Sequence, residues 1–155
     1  MIRWKWHYFS ELTCDELYKI LALRQTVFIL EQRCLYNDLD YLDQKGIHLL
    51  GTKNNELMSY LRIFPPDIVY PNATSLGRVV TAPAARKKMI GKEMLQQALH
   101  YLDSTYKQYP VIISAQIHLT RFYESFGFAT RGDPYDEDGI IHIKMIKQPT
   151  ATTEA

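Results

Sequence analysis

Between Leu76 and Tyr106 the chain passes from a β-rich run through a proline turn and a cluster of bases straight into an amphipathic helix. Leu76 to Thr81 reads as a short strand, and Ala82-Pro83 turns the chain. Arg86, Lys87, Lys88 and Lys92 follow with no acidic residue between 86 and 92, a net +4. The helix, from about Ile90 to Tyr106, carries Met94, Leu95, Ala98, Leu99 and Leu102 on one stripe. A helix start offers free amide donors and the positive end of the macrodipole, so the junction suits an anion. Gly91 lets another backbone approach closely. On these residues alone, a solvated basic turn and a phosphate site are equally consistent. There is no G-x-x-x-x-G-K-[ST], so ATP or GTP fits poorly, and a Rossmann fingerprint needs three glycines where this segment has one.

The other elements follow from hydrophobic period. Ile2, Trp4, Trp6 and Tyr8 alternate with Arg3, Lys5 and His7, a half-buried strand. Thr13 to Glu16 has the form of a capping box and opens a helix to about Leu30. Residues 31–46 read as an acidic, Tyr-containing loop. His48–Thr52 and Leu57–Phe64 flank Lys53-Asn54-Asn55-Glu56 as a hairpin. Val111-Ile112-Ile113 is a buried strand, His118–Phe126 a short helix stopped by Gly127, and Ile140–Ile146 a last alternating strand. The order is strand, helix, hairpin, strand, helix, strand, helix, strand, which predicts an α+β (mixed α/β) fold with helices on both faces of a sheet.

Composition sets outer limits. With 155 residues, 46% of them apolar, the chain can bury a core without staples. A formal net charge of +1 excludes a binder of bulk polyanions. Cys14 and Cys34 are too few for a disulfide scaffold, no apolar run approaches the roughly 18 residues that span a bilayer, and the N-terminus alternates instead of forming a leader core. A cytoplasmic protein with one domain over residues 1–147 and a flexible tail over 148–155 is expected, with no membrane contact.

Arg86-Lys87-Lys88-Met89-Ile90-Gly91 resembles the pyrophosphate-binding motif of the GNAT N-acetyltransferase superfamily, Gln/Arg-x-x-Gly-x-Gly/Ala. Arg78 to Pro83 is similar to that family's acetyl-CoA strand, and Phe122-Tyr123 with Gly127-Phe128 to its Phe-Tyr-x-x-x-Gly-Phe element. Val27-Phe28-x-x-Glu31-Gln32-x-Cys34-x-Tyr36, Ser114-Ala115-Gln116 and Tyr135-x-Glu137-Asp138-Gly139-Ile140-x-His142 resemble the ElaA-like branch. The resemblance runs from about Leu23 to Met145. It departs at Met89, which stands where the motif has its first glycine, and at Lys87, where a further glycine is common. Met89 is expected to narrow the phosphate cradle or weaken cofactor affinity.

The resemblance implies a GNAT-like mixed, mostly antiparallel central sheet and acetyl-CoA as the acetyl donor. It places backbone amides of Val79, Val80 and Thr81 at the thioester oxygen, where fixed donors count most. Arg86, Lys87, Lys88, Met89, Ile90, Gly91 and Lys92 hold the pyrophosphate in this reading. Tyr123 contacts the cofactor and protonates the departing thiolate, a phenol near pKa ~10 being not far above a thiol at ~8.5; packing in a core stripe is the alternative role. Gln116 would hydrogen-bond cofactor or substrate amides, or cap the next helix. For the base, His142 is a candidate, with a satisfied half-buried histidine as its alternative role, and Glu137, Asp138 or Glu31 would act through water.

Residues 31–43 hold four carboxylates against Arg33, a net −3, and residues 133–138 hold four more with no base, a net −4. Both segments are expected on the acceptor side, opposite the pyrophosphate loop, where Glu31 and Asp138 would collect a cationic amine; solvated loop charge is the alternative. No His/Cys spacing suits a metal. The leading function is direct acetyl transfer from acetyl-CoA to a primary amine, since no Cys/His pair suggests a covalent relay. A catalytically weak acyl-CoA-binding or regulatory module is the alternative of another class. A sheet-based RNA binder, suggested by 11 tyrosines and two tryptophans, lacks the aromatic spacing and would be repelled by the acidic segments, so no nucleic-acid partner is expected. A homodimer through an exposed Trp4/Trp6 strand is a further expectation.

Overall fold

A computed structural model of the chain describes residues 1–150, and the last five residues of the expected tail lie outside the described residues. The N-terminal alternation becomes β1 (Arg3–Tyr8), antiparallel to β2 (Ile47–Lys53). Trp4 pairs in register with Gly51, where a Cβ would come within 2.4 Å of the indole ring. Trp6 rests against Tyr101, ring centroids 4.6 Å apart. Both indoles are half-buried against the core, which corrects the expectation that they form an exposed face.

Helix α1 (Cys14–Arg24) starts at the expected capping box: Glu16 N donates to Thr13 Oγ1 and Thr13 N to Glu16 Oε1, each at 3.0 Å. It widens into a π-helical stretch, Gln25–Glu31, and Gln32 N and Cys34 N still reach back five residues to Val27 O and Ile29 O. Ile20, Val27 and Phe28 bury against Leu50, Tyr60 and Val80 on one face of the sheet. The β2–β3 hairpin closes on Asn54 and Asn55 at φ 51° and 65°, the left-handed pair that a two-residue turn needs. From β3 (Glu56–Phe64), Leu61 and Ile63 join Leu49 of β2 on the other face. Helix α2 (Ile90–Thr105) covers that face with the predicted stripe of Met94, Leu95, Ala98, Leu99 and Leu102.

β4 (Ser75–Thr81) pairs antiparallel with β3 and bulges at Arg78-Val79, because Gly77 is opposite Arg62 while Val80 is opposite Tyr60. β4 meets the parallel strand β5 (Val111–Gln116) only at its base: Thr74 N donates to Pro110 O and Ile112 N to Thr74 O, both at 2.9 Å. Above this point the strands diverge, leaving a four-stranded sheet β1–β2–β3–β4 and a three-stranded one, β5–β7–β6. Helix α3 (Thr120–Glu124) lies between β5 and β6 (Ala129–Glu137), and β7 (Ile140–Lys147) closes the chain in the centre of the second sheet.

β6 is absent from the sequence-based order of elements. Eight of its nine residues are exposed, it contains Gly132 and Pro134, and its pairing with β7 is irregular between Arg131 and Tyr135. Such a strand has no apolar alternation; its partner holds it in place. With that addition, the fold is the expected α+β arrangement: mostly antiparallel, one parallel contact, helices on both faces.

Candidate active site

Where β4 and β5 diverge, a cleft of about 450 Å³ opens between the sheets. β3 takes one edge of β4. Ala82 N donates to Met58 O and Val80 pairs with Tyr60, so the ladder's alternation turns the amides of Val79 and Thr81 toward the cleft and keeps that of Val80 in the sheet. Val80 is also buried under α1. Of the three expected amides, only Val79 and Thr81 are presented.

The basic loop lies just past the end of β4. Arg86, Lys87, Lys88 and Lys92 are exposed, Ile90 is buried and anchors the start of α2, and a Cβ at Gly91 would come within 3.6 Å of Thr81 Oγ1. Lys87 and Met89, the two positions where the motif has glycine, sit at φ 65° and 59°. The loop therefore keeps glycine's backbone without glycine, at a cost of about 1–2 kcal/mol per residue. The Met89 side chain is 63% exposed, so it lies at the surface instead of filling the loop. Glu31 reaches this loop: its Oε1 is 2.7 Å from Arg86 Nη1, and Arg86 Nε donates to Thr81 O at 3.3 Å. The expectation that Glu31 stands opposite the basic loop is corrected.

Tyr123 lines the cleft from α3 and is 5% exposed, edge-on to Phe122 and Phe128. Burial pushes its pKa up to about 12, so the close match with a thiol assumed from the sequence is lost. A thiolate in the same dry place would be destabilised as well, which restores part of the match. Gln116 Nε2 is 3.4 Å from Gln32 Oε1 across the cleft and makes no capping bond to the turn that follows it, so it does not cap the next helix. Cys34 is buried, and its thiol donates to Asp138 O at 2.8 Å.

Across the cleft from β4, the register of the second sheet sets Tyr135 and Gln116 on either side of His142, with Ser114 opposite Lys144. His142 Nδ1 is 2.8 Å from Ile140 O, and Nε2 is 3.2 Å from Glu137 Oε2. A carbonyl only accepts, so Nδ1 carries a hydrogen, and Nε2 faces the carboxylate oxygen at a distance that one shared proton bridges. Ser114 Oγ is hydrogen-bonded to the Tyr135 hydroxyl and lies 3.4 Å from the same Glu137 oxygen. Nothing in the sequence signals that Ser114 meets Glu137, 23 residues away. Asp138, at φ 53° in the β6–β7 turn, lines the cleft beside this group.

The acidic loop behaves differently from expectation. Arg24 of α1 pairs with Asp38 and Asp43, each at 2.8 Å; Arg62 of β3 pairs with Asp43 at 2.8 Å and Asp40 at 2.5 Å; Arg78 of β4 pairs with Asp38 at 2.7 Å. Three arginines balance three aspartates, so Asp38, Asp40 and Asp43 are neither a net −3 field nor free solvated loop charge. Burial works against the charged forms, yet Arg62 holds the Asp40 carboxyl down at about 2, and Arg24 and Arg62 hold Asp43 below its ordinary value. His48 is locked beneath: Nε2 donates to Asp43 O at 2.8 Å and Nδ1 accepts from Tyr60 Oη at 2.7 Å, and burial lowers its pKa. Sequence distance hid this cluster, since only Arg33 is a neighbour in the chain. Among the described residues no group of three His, Cys, Asp or Glu could hold a metal ion, and no helix is long and apolar enough to cross a membrane.

Residues 18–149 match the acetyltransferase (GNAT) domain model. A UPF0039 protein of Synechocystis is 42% identical over 146 residues, covering 94% of each chain. The crystal structure of Escherichia coli ElaA superposes with a TM-score of 0.89 at 38% identity, covering 96% of this chain and 100% of that one. An acyl-CoA N-acyltransferase from Pseudomonas aeruginosa superposes with a TM-score of 0.90 at 35% identity, covering 95% and 99%.

Proposed function

Because the chain belongs to the GNAT acetyltransferase family, we propose that it transfers acetyl from acetyl-CoA directly to a primary amine. One observation carries the reading. The cleft where β4 and β5 part holds a carboxylate–imidazole pair, and the strand that forms one of its walls, β4, runs on into an exposed cluster of four bases at the start of α2. The likeness to a Pseudomonas acyl-CoA N-acyltransferase supports it.

In this reading Arg86, Lys87, Lys88 and Lys92, with the first amides of α2, neutralise the donor's pyrophosphate. The amides of Val79 and Thr81 polarise the thioester oxygen and stabilise the charge that develops on it. The amine arrives as an ammonium ion and has to lose a proton before it attacks. With Nδ1–H held by Ile140 O, His142 Nε2 faces Glu137 Oε2 at 3.2 Å. A proton taken from the ammonium is held between them in a charge-assisted bond, so the pair acts as the base. Ser114 orients the carboxylate, and Asp138 meets the incoming ammonium. The amine nitrogen then bonds to the acetyl carbon, the C–S bond breaks, Tyr123 gives its phenolic proton to the sulfur, and the second proton shed by the nitrogen passes to water, from which Tyr123 is reprotonated. Both cysteines are free, as a reducing cytoplasm would keep them.

Steady-state kinetics with acetyl-CoA and an amine, alongside calorimetric acetyl-CoA binding, test this. Tyr123→Phe is expected to leave acetyl-CoA affinity within about twofold and to slow transfer by 10²-fold or more. Equal loss of both, or of neither, would remove Tyr123 from the proton path. Binding without turnover in the parent protein would make the chain an acyl-CoA-binding module.

A further inference from the structure

We propose that the acceptor is a monoamine with an apolar body of about aromatic size, as opposed to a polyamine or a basic peptide. The inference deepens the acetyltransferase reading and rests on it for the chemistry at the nitrogen.

The charge that would attract a polycation is already used. Asp38, Asp40 and Asp43 turn to Arg24, Arg62 and Arg78, and the one carboxylate of this cluster that lines the cleft, Asp40, is 2.5 Å from Arg62 and 3.4 Å from Arg78. The same wall carries the rings of Tyr36 and Tyr70 together with Leu42, Phe64 and Val69. The polar ends of both phenols are occupied. Tyr36 Oη donates to Asp38 Oδ1 at 3.1 Å, and Tyr70 Oη accepts from Lys144 Nζ at 2.6 Å. Their rings are left as apolar surface.

Anionic character survives at the opposite side of the same cleft, in Asp138 and the Glu137–His142 pair. That is room for one ammonium. A second positive charge further along the acceptor would meet ring faces over which Arg78 and Lys144 already sit, 5.6 Å from the Tyr36 ring centre and 4.5 Å from that of Tyr70. It would lose hydration without gaining a counter-charge, because Asp40 is already held by Arg62 and Arg78.

The test is calorimetric binding of phenethylamine and of spermidine to the full chain saturated with CoA, with acetyl transfer to both measured in parallel. Phenethylamine is expected to bind about tenfold or more tightly than spermidine. Val69→Asp, at a position 38% exposed on the rim, is expected to bring the two dissociation constants together. Equal or tighter binding of spermidine by the parent protein would overturn the inference. Selective binding of phenethylamine with transfer to neither amine would uphold the pocket assignment and overturn the acetyltransferase reading, so the two failures are distinct.

Discussion

Glu31 Oε1 lies 2.7 Å from Arg86 Nη1, joining the end of the α1 extension to the basic loop across 55 residues of sequence. Both side chains are about two-fifths exposed, so the pair contributes at most about 1 kcal/mol to stability. Its consequence is for binding, because an incoming phosphate competes with Glu31 for the guanidinium. Glu31→Gln is expected to tighten acetyl-CoA binding by about two- to fivefold, and Arg86→Ala to weaken it by about tenfold. Calorimetry reads both. A raised amine KM in Glu31→Gln with unchanged acetyl-CoA affinity would return Glu31 to the acceptor side.

Met89 caps α2 in the left-handed region at φ 59°. Glycine pays no Cβ penalty there, so Met89→Gly is expected to raise stability by up to about 1 kcal/mol, or about 2–4 °C in Tm. Met89→Ala keeps the penalty and brings no gain. Acetyl-CoA affinity should not fall in Met89→Gly, because the side chain already sits at the surface. Thermal unfolding with and without acetyl-CoA checks both points; tighter binding by the glycine variant would mean that Met89 does narrow the cradle.

Asp43 Oδ1 accepts from Arg24 Nη1 and Arg62 Nη1, both at 2.8 Å. Asp43→Asn leaves two buried guanidinium groups short of a counter-charge and is expected to cost about 3–5 kcal/mol in urea unfolding. A loss under 1 kcal/mol would mean that water or relaxation replaces the carboxylate.

The same cluster sets the acid limit of the fold. The Asp40 carboxyl is held at about 2 against an ordinary 3.8, so its stabilising effect is complete above 3.8 and disappears as pH falls through about 2. Asp43 shifts in the same direction. His48, whose pKa burial lowers from 6.5, starts an earlier loss as the pH drops below 6.5, because the unfolded chain takes up that proton first. Unfolding free energy measured from pH 8 to 2 is therefore expected to decline in two stages. Stability that stays flat from pH 6 to 3 would contradict both assignments.

The two stretches of acid show why legibility was uneven. Asp38, Asp40 and Asp43 look like an electrostatic lure in a window of 13 residues, because their partners lie on α1, β3 and β4. The Glu137–His142 pair was within reach, since a two-residue turn places the ends of β6 and β7 together, yet β6 itself carries no apolar period to announce it. Tyr123 was found by motif, whereas its raised pKa comes from burial among residues distant in the chain.

What the chain determined by itself is local. The capping box at Thr13–Glu16, the Asn54-Asn55 turn, the helical stripe after Ile90 and the bases before it all depend on neighbours within a few residues. Periodicity and turn chemistry report such neighbours directly. The tertiary structure alone decided charge and solvent. It set Glu31 against Arg86, cancelled three aspartates with three arginines, and turned the amides of Val79 and Thr81 into the gap between two sheets. Coulomb partners and burial are properties of distance in space, and the fold brings together residues that the sequence keeps apart.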